Sequence, residues 1–330
     1  MIRLVQIQKG SERRVALVEE PELRLLAGVR SIYELVIGLG KASIADWIKA
    51  NVSNERLNYD AVYAGNSDWH LLPPIDHPDG PWRCLVSGTG LTHLGSAKNR
   101  QAMHSVTQNE TDSMKMFRWG VEGGKPAPGK IGTAPEWFYK GNASVLRGHG
   151  EPLEVPPYAE DGGEEGEIAG MYLIDANGQP VRIGMAIGNE FSDHQFEKKN
   201  YLNLAGSKLR TCAIGPELVI GHDFQSVPGT VTIERAGTTL WSQQIVTGEK
   251  EMCHSLANIE HHHFKFEGHR RPGDLHIHYY GACSLSFGAG IKLQHGDLMT
   301  ISFEGFGRPL RNSLHVPKEG NRLVEAGALL

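Results

Sequence analysis

The first third of the chain changes its hydrophobic period several times. "IRLVQI" and "RVALVE" are apolar runs joined by the polar "QKGSER", which predicts an opening β-hairpin. "SIYELVIGL" follows, with Ser31 as N-cap and Glu34 three residues on, a capping-box pattern that predicts a helix. "SIADWIKANV" reads as a second short helix. Residues 65–81, "GNSDWHLLPPIDHPDGP", are dense in Pro, Gly, Asp and Asn and carry no period. A boundary there leaves a small α+β N-terminal domain, 1–75, and a larger domain, 76–330.

The larger part opens with the strand "RCLVSG" and a helix from Ser96 to about His104. "IAGMYLID" and "VRIGMAIGN" are two apolar runs joined through Asn177-Gly178, a strong hairpin signal. A short helix, "SDHQFEKKN", comes next. Further strands are "TVTIERA", "TLWSQQIV", "DLHIHYYG" and "LMTISFEG", with one helix near "EMCHSLANIEHHHF". Forty glycines cluster where strands would end. The pattern predicts an α+β fold whose body is a β-roll or sandwich.

Composition narrows the function classes. With 330 residues, 40% hydrophobic and 22% charged, the chain has the make-up of a globular protein with a large core. A net charge of −5 offers no electrostatic footprint for nucleic acid or an anionic membrane. No apolar stretch approaches the roughly 18 residues of a membrane span, and the N-terminus lacks a signal-peptide core. Cys84, Cys212, Cys253 and Cys283 are far apart without a CxxC pair, which predicts reduced thiols and a cytoplasmic setting.

The chemistry concentrates in "DGGEEGEIAG", residues 161–170, with four carboxylates in seven residues. One reading is a solvated acidic turn. The other is a cation site. On a strand, Glu165 and Glu167 share a face, and two desolvated carboxylates cannot both stay ionised without a cation between them. The hairpin returns through "VRIGMAIGNE", so Glu190 can arrive beside the pair. Three carboxylates without obligatory Cys or His suit a hard divalent ion, Mg²⁺ or Mn²⁺.

"GEEGEIAG", "IGNEFSD", "GSKLRTCAIGPEL" and "RPGDLHIHYYG" together resemble the fumarylacetoacetate hydrolase superfamily, in the same order and at compatible spacings from about Gly88 to Asn312. The resemblance implies a mixed β-sandwich roll with the metal held by Glu165, Glu167 and Glu190. The superfamily usually has Asp where Glu190 stands. Lys208 falls at its active-site lysine. Lys140, in "APEWFYKGNASV", matches a lysine that either binds substrate or pairs with a neighbouring acid.

The superfamily's hydrolases carry Tyr-x-x-His-x-x-Glu after a Gly-rich strand end. In "GTGLTHLGSAKNR", aligning Gly90 puts His93, Ser96 and Asn99 at those places, and Ser with Asn cannot form a general-base pair. "TGLTHLGSAKNR", "PEWFYKG" and "HHHFKF" extend the resemblance to the superfamily's sugar-acid branch, which includes 2-keto-3-deoxy-D-arabinonate dehydratases. That implies a lyase which dehydrates a 2-keto-3-deoxy sugar acid. Lys208 or a metal carboxylate such as Glu167 would take the C3 proton, and His93 could protonate the leaving C4 oxygen. Thr92 and Ser96 would bind substrate hydroxyls. The resemblance also implies a homodimer or dimer of dimers. Open alternatives are an acylpyruvate or 2,4-diketo acid hydrolase, and a sugar-acid-binding protein without turnover. "HHHF" and "HIHYY" are read as helix-end and core-edge histidines in preference to a second metal site, and Asp112 as part of a lid.

Overall fold

The computed structural model describes residues 1–39, 43–104 and 111–329, excepting the side chains of 99 and 102–104. The chain opens with a meander, β1 (Ile2–Lys9), β2 (Glu12–Glu19) and β3 (Glu22–Leu26). α1 (Ile32–Leu39), α2 (Ile44–Asn51), β4 (Val52–Asn58), α3 (Tyr59–Tyr63) and β5 (His70–Leu71) complete the N-terminal unit. The capping signal at Ser31 is realised, with Glu34 N–H donating to Ser31 Oγ at 3.1 Å.

Next come β6 (Cys84–Gly90), α4 (Leu94–His104), α5 (Asp112–Gly123), β7 (Glu136–Asn142), β8 (Leu146–Arg147) and β9 (Leu153–Glu154). β10 (Gly166–Ile174) and β11 (Pro180–Asn189) form the Asn-Gly hairpin, followed by α6 (His194–Lys199), α7 (Leu204–Lys208), β12 (Cys212–Ile214) and β13 (Leu218–Ile220). The chain closes with β14 (Val227–Arg235), β15 (Thr238–Thr247), α8 (Leu256–Phe264), β16 (Leu275–Tyr279), β17 (Leu298–Phe303) and β18 (Leu310–His315).

Two sheets result. A mixed 13-stranded sheet has the path β4-β3-β2-β1-β13-β11-β10-β16-β6-β7, and a five-stranded sheet runs β15-β14-β17-β18-β9. β10 lies mid-sheet and is buried at every residue, which is why "IAGMYLI" shows no alternation. Its Ile168 joins Ile187, Val231 and Ile301 in the core between the sheets. Its Ala169 and Met171 face the other way and pack with Ile277, Ile32 and Ile48. The N-terminal meander is hydrogen-bonded into the same large sheet through β1 and β13, with Ile2 opposite Ile220 and Leu4 opposite Leu218. The two predicted domains therefore share a sheet.

The acidic stretch is not a solvated turn, since residues 162–170 are all buried. Glycine between Glu165 and Glu167 has a packing reason. A Cβ on Gly166 would lie 2.7 Å from Val231 Cγ2 and 3.3 Å from Ile301 Cγ2 of the second sheet. The segment read as a lid at Asp112 is the helix α5, with Thr111 accepting the Met114 N–H at 3.3 Å. Its glycines serve close packing, as a Cβ on Gly120 would meet Cys253 Sγ at 2.7 Å. Cys84, Cys212 and Cys253 are buried free thiols, and Cys283 is partly exposed. No helix among the described residues is long and apolar enough to cross a membrane.

Candidate metal centre

Register brings the carboxylates together. Gly166 pairs with Asn189 and Glu167 with Gly188, so Glu190 comes opposite Glu165, and its N–H donates to the Glu165 carbonyl at 2.9 Å. Directly opposed antiparallel residues share a face. One carboxylate oxygen from each of Glu165, Glu167 and Glu190 lies within 4.8 Å of the others, and all three side chains are buried. The third buried carboxylate of the stretch, Glu164, turns elsewhere and accepts the N–H and Oγ–H of Ser286, both at 2.7 Å.

Two lysines close on this set. Lys208, at the end of α7, contacts Glu165 Oε1 at 2.5 Å, Glu190 Oε2 and Ser192 Oγ, over the Phe138 ring. Lys140 on β7 contacts Glu190 Oε1 at 2.5 Å and donates to the Phe191 carbonyl. Both are about 1% exposed. Lys140 thus pairs with an acid, one of the two roles open to it. His194 Nε2 lies 3.2 Å from Glu165 Oε1.

Charge sorts the group. Burial disfavours the Lys208 ammonium, but Glu165 and Glu190 outweigh it and hold Lys208 above its ordinary value. Burial likewise acts against an ionised Glu165, yet Lys208 and His194 hold it well below the carboxylate range. Glu167 is pushed well above that range by burial, then by Glu190 and Glu165. The three carboxylates are therefore not equally charged: Glu165 is ionised against Lys208, while Glu167 is held toward its neutral form, a cost that a divalent cation in place of the proton would relieve. An all-oxygen donor set of this kind suits a hard divalent cation.

The other predicted residues separate. Ser96 lines a small cavity that reaches Glu165, together with Gly90, Arg100, His194 and Glu197. Its Oγ also donates to the His93 carbonyl at 2.9 Å. Thr92 is fully buried and donates to the Tyr280 carbonyl at 2.8 Å. His93 is held between Thr92 Oγ1 at 2.9 Å and Thr247 Oγ1 at 3.2 Å. Burial pushes its imidazole down to about 4, so the ring is neutral near pH 7. The side chain of Asn99 lies outside the described residues.

Sequence reasoning missed His194, which opens α6 beside Glu165, and a buried network on the cavity wall. Arg100 contacts Glu136 Oε2 at 2.8 Å and Glu197 Oε1 at 2.7 Å. The signal available was Arg100 itself, a charged residue four positions after Ser96 and thus on the same helix face.

No family model matches the chain, and no curated protein is similar to it. Solved structures are. A 2-keto-3-deoxy-D-arabinonate dehydratase complexed with magnesium and 2,5-dioxopentanoate matches with a TM-score of 0.71 at 19% identity, covering 96% of this chain and all of that one. A fumarylacetoacetate hydrolase from Exiguobacterium antarcticum gives 0.62 at 17% over 96% of this chain and all of its own. A 2-hydroxyhepta-2,4-diene-1,7-dioate isomerase from Mycobacterium marinum gives 0.58 at 17% over 97% of this chain and all of its own. Such identities speak for the architecture alone, and on that ground the chain has the fumarylacetoacetate hydrolase-type fold.

Proposed function

We propose that the chain is a Mg²⁺-dependent lyase acting on a 2-keto-3-deoxy sugar acid, converting D-2-keto-3-deoxypentonate to 2-oxoglutarate semialdehyde in non-phosphorylative pentose catabolism. The observation that carries this reading is the buried set Glu165, Glu167 and Glu190 beside an ionised Lys208, bordered by Ser96 where hydrolases of this fold keep a base. Mg²⁺, or Mn²⁺, held by the three carboxylates would draw charge from the keto acid and acidify its C3 proton.

The protein's own groups supply the rest. Lys208, kept as an ammonium by Glu165 and Glu190, meets the negative charge that develops as the C3 proton leaves. The C4–O bond breaks, a C3–C4 double bond forms, and the departing hydroxide with one proton makes water. For a pentonate the balance closes with that one water, and the remaining enone isomerises to the aldehyde. No hydrolytic water is consumed, which agrees with Ser96 and Asn99 at the base positions. Ser96 is the candidate for contact with a substrate hydroxyl. A neutral His93 between two threonine hydroxyls supports a positioning role in preference to proton delivery. Lys140 holds Glu190.

The test is purified full-length protein with 2-keto-3-deoxy-D-arabinonate and Mg²⁺, with and without EDTA, followed by mass spectrometry. A product lighter by one water, abolished by EDTA, is expected. Pyruvate among the products would mean carbon–carbon cleavage and sink the elimination. One observation favours a second reading, hydrolysis of a 2,4-diketo or acylpyruvate substrate: buried His194 stands beside Glu165 in the same cavity as Glu197. Turnover of a 2,4-diketo acid with none of the 3-deoxy acid would select it.

A further inference from the structure

A second buried cluster of ligand-capable side chains lies on the opposite face of the large sheet. His263 near the end of α8, His269 in the 3₁₀ turn 267–269 and His276 on β16 each bring one ring nitrogen within 4.8 Å of the others. His263 and His276 are buried, and His269 is half-buried.

Hydrogen bonds fix the tautomers. His269 Nδ1 faces the His263 carbonyl at 2.6 Å, and a carbonyl only accepts, so Nδ1 carries the proton and Nε2 keeps its lone pair. Metal-binding imidazoles are commonly oriented by such a bond. The Trp137 indole donates to His263 Nδ1 at 3.1 Å, so His263 Nε2 carries the proton and donates to His276 Nδ1 at 2.9 Å. The neutral His276 ring therefore has its N–H at Nε2, on the side away from His263.

We propose that His263, His269 and His276 bind a transition-metal ion of the Zn²⁺ class, at a site separate from the carboxylate centre. Imidazoles suit Zn²⁺, Co²⁺, Ni²⁺ or Cu²⁺ and do not suit Mg²⁺. Tetrahedral bonds of about 2.0–2.1 Å set ligand nitrogens about 3.3 Å apart. That spacing falls between the 2.9 Å of the His263–His276 pair and the 4.8 Å outer limit. Binding through His263 Nε2 moves that nitrogen's proton to Nδ1, leaving the ring's charge unchanged. Nδ1–H then donates to Ser87 Oγ, now 3.5 Å away. The indole N–H of Trp137 then gives up that acceptor, which makes the residue, 36% exposed, a reporter of binding. His276 likewise keeps its one proton, on the nitrogen turned away from the ion. The ion would join a helix end, a turn and a strand.

The experiment uses the full chain, stripped with a chelator and titrated with Co²⁺, then Zn²⁺. The expected result is a tetrahedral visible absorption with Co²⁺ and a change in tryptophan emission with Zn²⁺. H269A and H276N should each lose both signals while keeping thermal stabilisation by Mg²⁺, which also shows that they fold. Because His269 is half-buried, H269A is the gentler variant. Absence of the tetrahedral spectrum in the wild type, or its survival in H269A, overturns the proposal. Turnover is not read, so failure of the dehydratase reading leaves this result standing.

Discussion

The carboxylate centre and the histidine cluster occupy opposite faces of the same strands. On β7, Glu136, Phe138 and Lys140 face the carboxylates, while Trp137 faces His263. On β16, His276 and His278 alternate with Ile277 and Tyr279. Both clusters are buried apart from the half-buried His269, but they solve desolvation differently. Glu165 stays charged beside Lys208, Glu190 gathers both lysines, and burial holds Glu167 toward its protonated form. Burial holds His263, His276 and His278 toward the neutral form, His263 bonded to His276 and His278 to Ser87 and Thr89. A charged cluster demands a counter-ion, whereas a neutral one only offers lone pairs. The two therefore suit different ions.

The strongest way to break this contrast is to remove charge from one side only. Lys208→Met should cut turnover by on the order of 10³, as expected for a group that meets developing charge, while H269A leaves steady-state turnover near wild type. Equal losses would mean that the faces are coupled. Lys140→Met should destabilise the fold by about 3–5 kcal/mol, because it removes one partner of buried Glu190. Chemical denaturation measures it, and a neutral result would show that Lys208 alone compensates Glu190.

Acid should act on the histidines through folding. Burial pushes His93 and His254 down to about 4, and His276 and His278 to about 3. Below pH 6.5 the unfolded chain takes up protons that the native rings refuse until about pH 4. Stability is thus full above pH 6.5 and falls as pH drops, by up to about 1.4 kcal/mol per pH unit for each such ring. A melting temperature flat from pH 7 to 5 would contradict the neutral assignment. Gly166→Ala should cost about 1–3 kcal/mol by overpacking against Val231. The smallest expected effect is Trp137→Phe, about 0.5–1.5 kcal/mol for one hydrogen bond.

Much of the first cluster was legible because one hairpin carries it. Strand alternation aligned Glu165 with Glu167, and the Asn-Gly turn fixed which residue returns opposite, so Glu190 followed from local spacing. The family pattern supplied Lys208, although it lies on another element. His194 and the Arg100–Glu136–Glu197 network were not legible, because their meaning depends on α4, α6 and β7 converging across long sequence separations. The histidine cluster was only half visible. His276 and His278 were read as sharing a face, but His263 reaches them through the path of α8. β18 was missed because "LRNSLH" is mostly polar, and α5 because its glycines resemble a loop until their close neighbours are known.

The bond between β1 and β13 reaches beyond architecture. Three residues, Leu218 to Ile220, are covered on one side by the first strand of the chain. Cutting the protein at the boundary that composition suggests would strip β1 away and leave β13 with unpaired backbone donors and acceptors beside apolar side chains. Such an edge is a template for another chain. The first 75 residues thereby cover an edge open to self-association, and a shortened form would be expected to aggregate while still carrying the carboxylate set.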